Sequence, residues 1–366
     1  MEASCLMDRH RAAEARFADA DGQPLLLTFG DVPAEYAAGR EGTVLFDATQ
    51  RGLVVATGDD RADFLHRILS NDVRSLEAGQ GNRNLLLSPK GKIVHAFDLE
   101  VEADAIRLAT APGGAPALIT AIDMFHFSEA VEFADASSST APLALSGPTA
   151  RATIERVLGD SAFGDAGTIK SVNWSGHEVR VAARPVAGSA GWTLDAGPEG
   201  AGALWDALIE AGARPAGRIA WDCLRVEAAA AEPGSDVDDS IYPQEARWEE
   251  AFSLDKGCYI GQEVVAKIDT YGGLNKRLCA LRLDHDDPIA PGERLFEQDG
   301  DERRDLGVVT SWAYSFELDT GLVLAYVKRK HQAVGTTFEV GEGRGQATIV
   351  PIPVRPDAIA VTGEFE

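Results

Sequence analysis

The 366-residue chain has few cysteines, few basic side chains and no long apolar run. Its four cysteines (Cys5, Cys223, Cys258 and Cys279) are scattered and include no Cys-x-x-Cys pair. That leaves no case for a structural zinc, a Cys₄ cluster or a disulfide framework. The histidines show no metal-ligand spacing, so no metal site is expected. Free, scattered thiols suit a reducing compartment, and a cytoplasmic protein is expected. No segment approaches the ~18 consecutive apolar residues of a membrane span. The first ten residues lack the basic-then-apolar order of a secretory signal. Only 34 Lys and Arg stand against 58 Asp and Glu, a formal charge of −24. Broad nucleic-acid binding needs a basic surface that neutralises phosphates, and docking on anionic lipid needs the same. Both are excluded as general modes, while a local basic pocket for a small anion is not.

What is present is core material. Hydrophobic residues make up 45% of the chain and charged residues 25%, a globular balance. The length suits two to three domains. Gly52–Thr57 reads as a buried strand. A helix follows over about Arg61–Leu69, with Phe64, Leu65, Ile68 and Leu69 on one face. The stretch from Gly79 to Gly91 is turn-rich. Ile93–Val101 and Ala105–Ala109 read as a hairpin, and Ala115–Phe127 as a helix. A polar break at Ala136–Thr140 precedes a strand at Pro142–Ser146 and a helix at Thr149–Leu158. Strands near Val179–Ala183 and Gly191–Asp195 and a helix over Gly200–Ala211 follow. Glu232–Ser240 is acidic, poor in apolar residues and reads as a solvated loop. From Leu278 onward strands dominate (Leu278–Leu283, Asp305–Ser311, Gly321–Val327, Thr337–Val340 and Gly345–Ile352), as in a small barrel.

The least ordinary stretch is Asp255-Lys-Gly-Cys-Tyr-Ile-Gly-Gln-Glu263. Two glycines permit positive φ and a close approach of backbone to a ligand. A lysine two residues before Cys258 favours the thiolate, the form that reacts. The residues alone also allow a plain turn whose Cys and Tyr pack inward.

Lys256–Glu263 resembles the Lys-Gly-Cys-Tyr-x-Gly-Gln-Glu signature of the YgfZ family, folate-binding relatives of the glycine-cleavage T-protein linked to iron–sulfur cluster assembly. Phe64–Val73, Ser88–Ile93, Cys223-Leu-Arg-Val-Glu227, Ile241-Tyr-Pro-Gln-Glu245, Gly307–Ser311 and Leu324–Val327 are similar to further family segments. The likeness runs over roughly residues 25–355. It implies an α+β fold: a three-domain T-protein-like ring of two α/β domains, one inserted in the other, and a C-terminal β-barrel. The implied boundaries are 1–57 with 137–270 for a discontinuous folate-binding domain, 58–136 for the insertion and 271–366 for the barrel.

The resemblance also implies a function. The chain would bind tetrahydrofolate or a one-carbon derivative and support iron–sulfur enzymes or their assembly proteins, affecting tRNA modification only indirectly. The alternative is a tetrahydrofolate-dependent one-carbon transferase of aminomethyltransferase or demethylase type. Cys258 and Lys256 are the chemically active candidates. Glu227 matches the T-protein glutamate that contacts the pterin; a carboxylate can accept two hydrogen bonds from the ring. Its other reading is a salt bridge to Arg225 or Arg247. Gly257, Tyr259, Gly261, Gln262 and Asp98 complete the expected folate set. One departure stands out. T-proteins carry an Asp-Asp pair after the Gly-x-Ile-Val turn, whereas Gly91-Lys-Ile-Val94 is followed here by His95-Ala96. Asp98 lies further on, on the strand face of Ala96. Aminomethyl transfer would therefore lack its acid. Lys276-Arg277 and Lys328–His331 are basic clusters that read either as solvated strand ends or as groups that meet a folate tail or a partner surface.

Overall fold

The computed structural model of the chain describes residues 4–20, 22–163, 168–299, 302–356 and 358; the outer limits of the first and last expected domains fall outside them. Helix α1 (Met7–Ala12) leads into a hairpin of β1 (Arg16–Ala20) and β2 (Gln23–Thr28). Helix α2 (Val32–Glu41) follows, started by Asp31, whose carboxylate accepts from the Ala34 N–H, with Pro33 in the first turn. Strand β3 (Val44–Asp47) is almost wholly buried.

The chain then leaves this unit. Strand β4 (Arg51–Thr57), helix α3 (Arg61–Ile68), strands β5 (Gly81–Leu87), β6 (Ile93–Val101) and β7 (Ile106–Pro112), helix α4 (Ala115–Asp123) and strand β8 (Glu132–Asp135) follow in turn. Their strands form an antiparallel sheet of order β5-β6-β7-β4-β8. The face of α3 made by Phe64, Leu65 and Ile68 is buried in this sheet's core. β4 pairs with β7 and β8, so the strand up to residue 57 is part of this five-stranded sheet. The turn-rich Gly79–Gly91 stretch holds β5, because Leu85, Leu86 and Leu87 have an apolar interior to enter on both faces.

The return passes through β9 (Pro142–Ser146), α5 (Ala150–Leu158), β10 (Ile169–Trp174), β11 (His177–Ala183), β12 (Gly191–Asp195), α6 (Gly197–Glu210), β13 (Arg214–Ala216) and α7 (Arg218–Glu227). These complete a sheet of order β10-β11-β12-β9-β3-β13, in which only β13 on β3 is parallel. Helix α8 (Gln262–Tyr271) leads to β14 (Lys276–Leu283), β15 (Arg294–Asp299), β16 (Glu302–Ser315), β17 (Thr320–Lys328), β18 (Thr337–Val340) and β19 (Gln346–Val350). They close as a barrel of order β14-β17-β16-β15-β18-β19, with β19 paired back onto β14. Strand β15 was not visible in the apolar pattern, which in that stretch is broken by charged residues.

The units are packed together, not merely strung together. One apolar cluster contains Val44 and Leu224, Leu87 and Ile93, Tyr259, and Leu278 and Leu324, residues from all three. The acidic Glu232–Ser240 loop is not simply solvated. Asp236 and Val237 are buried, and Asp236 accepts from Arg225 (2.8 Å), Ser311 (2.7 Å) and Thr310 (2.5 Å). Arg225 at the end of α7 neutralises the carboxylate that burial would otherwise penalise.

Candidate functional site

A cavity of about 520 Å³ lies where the six-stranded sheet, the five-stranded sheet and the β1–β2 hairpin meet. That size suits a small organic ligand. Phe17, Phe46, Trp221 and Trp248 supply aromatic walls, and Phe46 meets Trp221 edge to face at 5.0 Å. Arg51, Arg83, Arg218 and Arg225 supply cations, and Asp47, Asp98, Glu232 and Glu250 carboxylates. On an acidic protein this is a local concentration of basic groups. No spacing rule in the sequence gathers these four arginines, which come from the start of β4, from β5 and from α7.

Strand β6 turns Ala96 and Asp98 toward the cavity. Asp98 accepts from Arg51 and Arg184, each at 3.0 Å, with Arg83 at 3.8 Å. Burial alone would raise its carboxyl, but the three guanidiniums outweigh that and hold it far below the usual carboxylate range. Asp98 therefore lines the cavity but stays ionised, its Oδ2 accepting from two guanidiniums, and does not hold a proton near neutral pH. His95 lies on the other face of the pleat, and burial lowers its pKa.

The signature loop is a strap between units. His66 Nε2–H donates to the Lys256 carbonyl (2.9 Å), the Lys256 ammonium donates to the His66 carbonyl, and Ser253 N–H donates to the Ser70 carbonyl (2.9 Å). Burial lowers the Lys256 pKa to about 8, and its Nζ lies 5.1 Å from the Tyr259 ring centre. The ammonium is thus turned inward, and among the described residues no hydrogen bond or ion pair joins it to Cys258. Tyr259 is buried in the shared apolar cluster, and Gln262 closes the turn on the Leu254 carbonyl at 3.5 Å. Gly257 and Cys258 form the exposed tip. None of residues 256–262 lines the cavity, so the loop and Asp98 do not share one site. Cys223 and Cys279 are buried, and burial pushes the Cys223 thiol up to about 12. Cys5 is exposed but lies outside the motif.

Gly261 shows why the strap needs glycine. Its φ is +79°, and a Cβ there would sit 2.5 Å from the Ser88 carbonyl oxygen and 2.9 Å from Gly91 Cα. Gly261→Ala is expected to cost about 2 kcal/mol or more through backbone strain and this clash. Urea denaturation, together with faster amide exchange over Ser88–Gly91, would register it; unchanged protection would contradict the docking role.

Glu227 is elsewhere too. It ends α7 fully buried, accepting from Tyr36 (2.6 Å), Ser315 (2.8 Å) and the Glu317 N–H (3.1 Å). Its carboxylate joins α2 and α7 to the barrel and is not among the groups that line the cavity. Its expected alternative partners, Arg225 and Arg247, do not reach it: Arg225 pairs with Asp222 and Asp236, and Arg247 donates to the Leu278 carbonyl. The two basic clusters also lie off the cavity: Arg277 pairs with Glu249 at 2.6 Å, and Lys328 donates to the Asp305 carbonyl. Among the described residues no group of three His, Cys, Asp or Glu could hold a metal, and no helix is long and apolar enough to cross a membrane.

Comparison with known proteins agrees with this architecture. Residues 6–256 match the GCVT N-terminal domain, and residues 276–354 match the glycine cleavage T-protein C-terminal barrel domain. The chain is 30% identical over 303 residues to an Arabidopsis thaliana protein named as a chloroplastic transferase, covering 82% of this chain and 69% of the other. It is 32% identical over 347 residues to an aminomethyltransferase of Geobacillus kaustophilus, covering 91% and 92%. The crystal structure of glycine cleavage system aminomethyltransferase T from Bartonella henselae superposes with a TM-score of 0.87 at 22% identity, over 98% and 99% of the two chains, which establishes the shared fold. From these matches and this architecture, the chain belongs to the glycine cleavage T-protein family.

Proposed function

We propose that the chain binds a tetrahydrofolate derivative in its central cavity and acts, as in the YgfZ branch, as an accessory factor for iron–sulfur cluster assembly or maintenance. The observation that carries this reading is the cavity face of β6, which presents Ala96 and an arginine-locked Asp98. A proton-transferring group must change protonation near working pH, and the arginines hold Asp98 ionised there. The cavity fits a folate in other respects. Trp221 and Phe46 offer flat surfaces for its rings, and the partly exposed Arg51 suits a carboxylate tail, whereas the Arg218 fork is already held by Asp222 and Glu232. Bound folate would supply a reduced pterin able to carry a one-carbon unit.

Cys258 is the working thiol in this reading. It stands at the tip of a strap anchored on both sides, accessible to a partner protein and outside the folate cavity. Any effect on tRNA modification passes through client iron–sulfur enzymes, and a cytoplasmic location goes with reduced thiols. Cys258→Ala is expected to fold normally and to fail in restoring iron–sulfur enzyme activity to a strain lacking the protein. Full restoration by that variant would remove the thiol from the proposal.

A second reading, aminomethyl transfer, draws on the name of the Geobacillus relative. Formation of methylenetetrahydrofolate by the purified protein from an aminomethyl donor would establish it over the first.

A further inference from the structure

The cavity contains four carboxylates, and three are already taken. Asp47 accepts from His10 (2.7 Å), Ser4 (2.5 Å) and the Thr49 N–H (2.9 Å). Asp98 is held by its arginines, and Glu232 by Arg218 at 2.5 and 3.1 Å. Glu250 differs. Its nearest cation is Arg83, at 3.7 Å, its side chain is 43% exposed, and it lines the cavity.

The backbone under Glu250 is nonetheless fixed. The residue sits in the 3₁₀ turn Glu249–Ala251, between the buried residues Trp248 and Ala251. Its own carbonyl accepts from Asn71 Nδ2 at 2.8 Å, and the Ala251 carbonyl accepts from Ser70 Oγ at 2.6 Å. Arg83 is oriented as well. Its guanidinium lies 5.2 Å from the Trp248 ring centre, with Asp98 at 3.8 Å and Glu250 at 3.7 Å. The indole and the two acids favour one orientation of its planar donor fork, which is hydrogen-bonded to neither carboxylate.

The pair therefore presents a row of groups to the cavity: two carboxylate acceptors, then a guanidinium donor. A pterin offers the complementary row along one edge, an amino N–H, a ring N–H and a carbonyl oxygen. We infer that Glu250 and Arg83, which line the cavity where Glu227 does not, receive the amino-pyrimidinone edge of the bound ring. The inference rests on the folate reading above. Guanine carries the same edge, so the ligand chemistry has two sources that the test must separate.

The test titrates the full-length protein with 5-formyltetrahydrofolate, its 2-desamino analogue and guanosine monophosphate by calorimetry. Glu250→Gln keeps the side chain's size but sets an amide donor against a ring donor. It is expected to raise Kd for 5-formyltetrahydrofolate at least about tenfold, with an unchanged thermal midpoint, because hydrogen bonds to charged groups are the strong ones. Wild-type protein should lose a similar factor with the desamino analogue, and Glu250→Gln should lose little more on top of it. Equal wild-type affinity for the two folates would overturn the inference without needing any variant. Unchanged folate binding by a folded Glu250→Gln would overturn it while leaving the folate reading intact. Binding of the guanosine nucleotide alone, weakened by Glu250→Gln, would support the edge assignment and end the folate reading. Binding of none of the probes would end both.

Discussion

Glu227→Ala is expected to destabilise the protein by about 3–5 kcal/mol, the range for removing one partner from a buried, hydrogen-bonded charge site. The carboxylate accepts from Tyr36, Ser315 and the Glu317 N–H, and Arg40 Nη1 lies 4.0 Å away. Without it two buried hydroxyls lose their acceptor and an amide is stranded, while Arg40 keeps Glu317 at 3.1 Å. Burial, and after it the hydrogen bond to Glu227, raises the Tyr36 pKa, so the phenol stays a donor at every physiological pH. The loss should loosen the barrel first. The same region holds the chain after β19, where the Val354 N–H donates to the Glu227 carbonyl (2.7 Å) and the buried Arg355 donates to the Leu224 carbonyl (3.1 Å). Urea denaturation followed by tryptophan fluorescence, with amide exchange in β16, measures the effect. Glu227→Gln retains one acceptor and should cost less. A stable Glu227→Ala that binds folate poorly would restore the ligand role expected from the motif.

Asp98→Ala is expected to cost about 2–3 kcal/mol. It leaves Arg51, Arg83 and Arg184 facing one another, with Arg184 the most deeply enclosed. The figure sits below the usual range for a broken buried pair because Arg51 and Arg83 are partly exposed and water can relax around them. The pH dependence has a definite sign. The folded-state pKa of Asp98 is depressed, so its contribution is fully present above the unfolded pKa of about 3.9 and is lost as pH falls toward the folded value. Wild-type stability should therefore drop through the acid range, and Asp98→Asn should flatten that part of the curve. An unaltered acid limb in Asp98→Asn would show that the arginines do not depress this carboxyl.

The amino-acid pattern by itself carried β4, α3, β6, β7, α4, β9, α5, β11, β12, α6, the C-terminal barrel and the glycine-bounded Cys258 loop, but not α1 to β3, α7 or α8. Each is a local property. Strand alternation put Asp98 on the face of Ala96, and the glycines around Tyr259 marked a turn that Gly261 does adopt, with positive φ. Local pattern also failed in identifiable places. β15 lacked a clean apolar period, and Asp236 looked solvated because its neutraliser, Arg225, is eleven positions away on a helix.

Only the tertiary structure decided what each side chain does. Asp98 meets Arg51 and Arg184 across 47 and 86 positions, and Glu227 meets Tyr36 and Ser315 across 191 and 88. Periodicity tells which face a residue occupies but not what that face meets, and neutralisation depends on distance in space. The scarce cations show it best. They are few and unremarkable along the chain, yet folding gathers four arginines around one cavity and leaves Glu250 as its most loosely paired carboxylate.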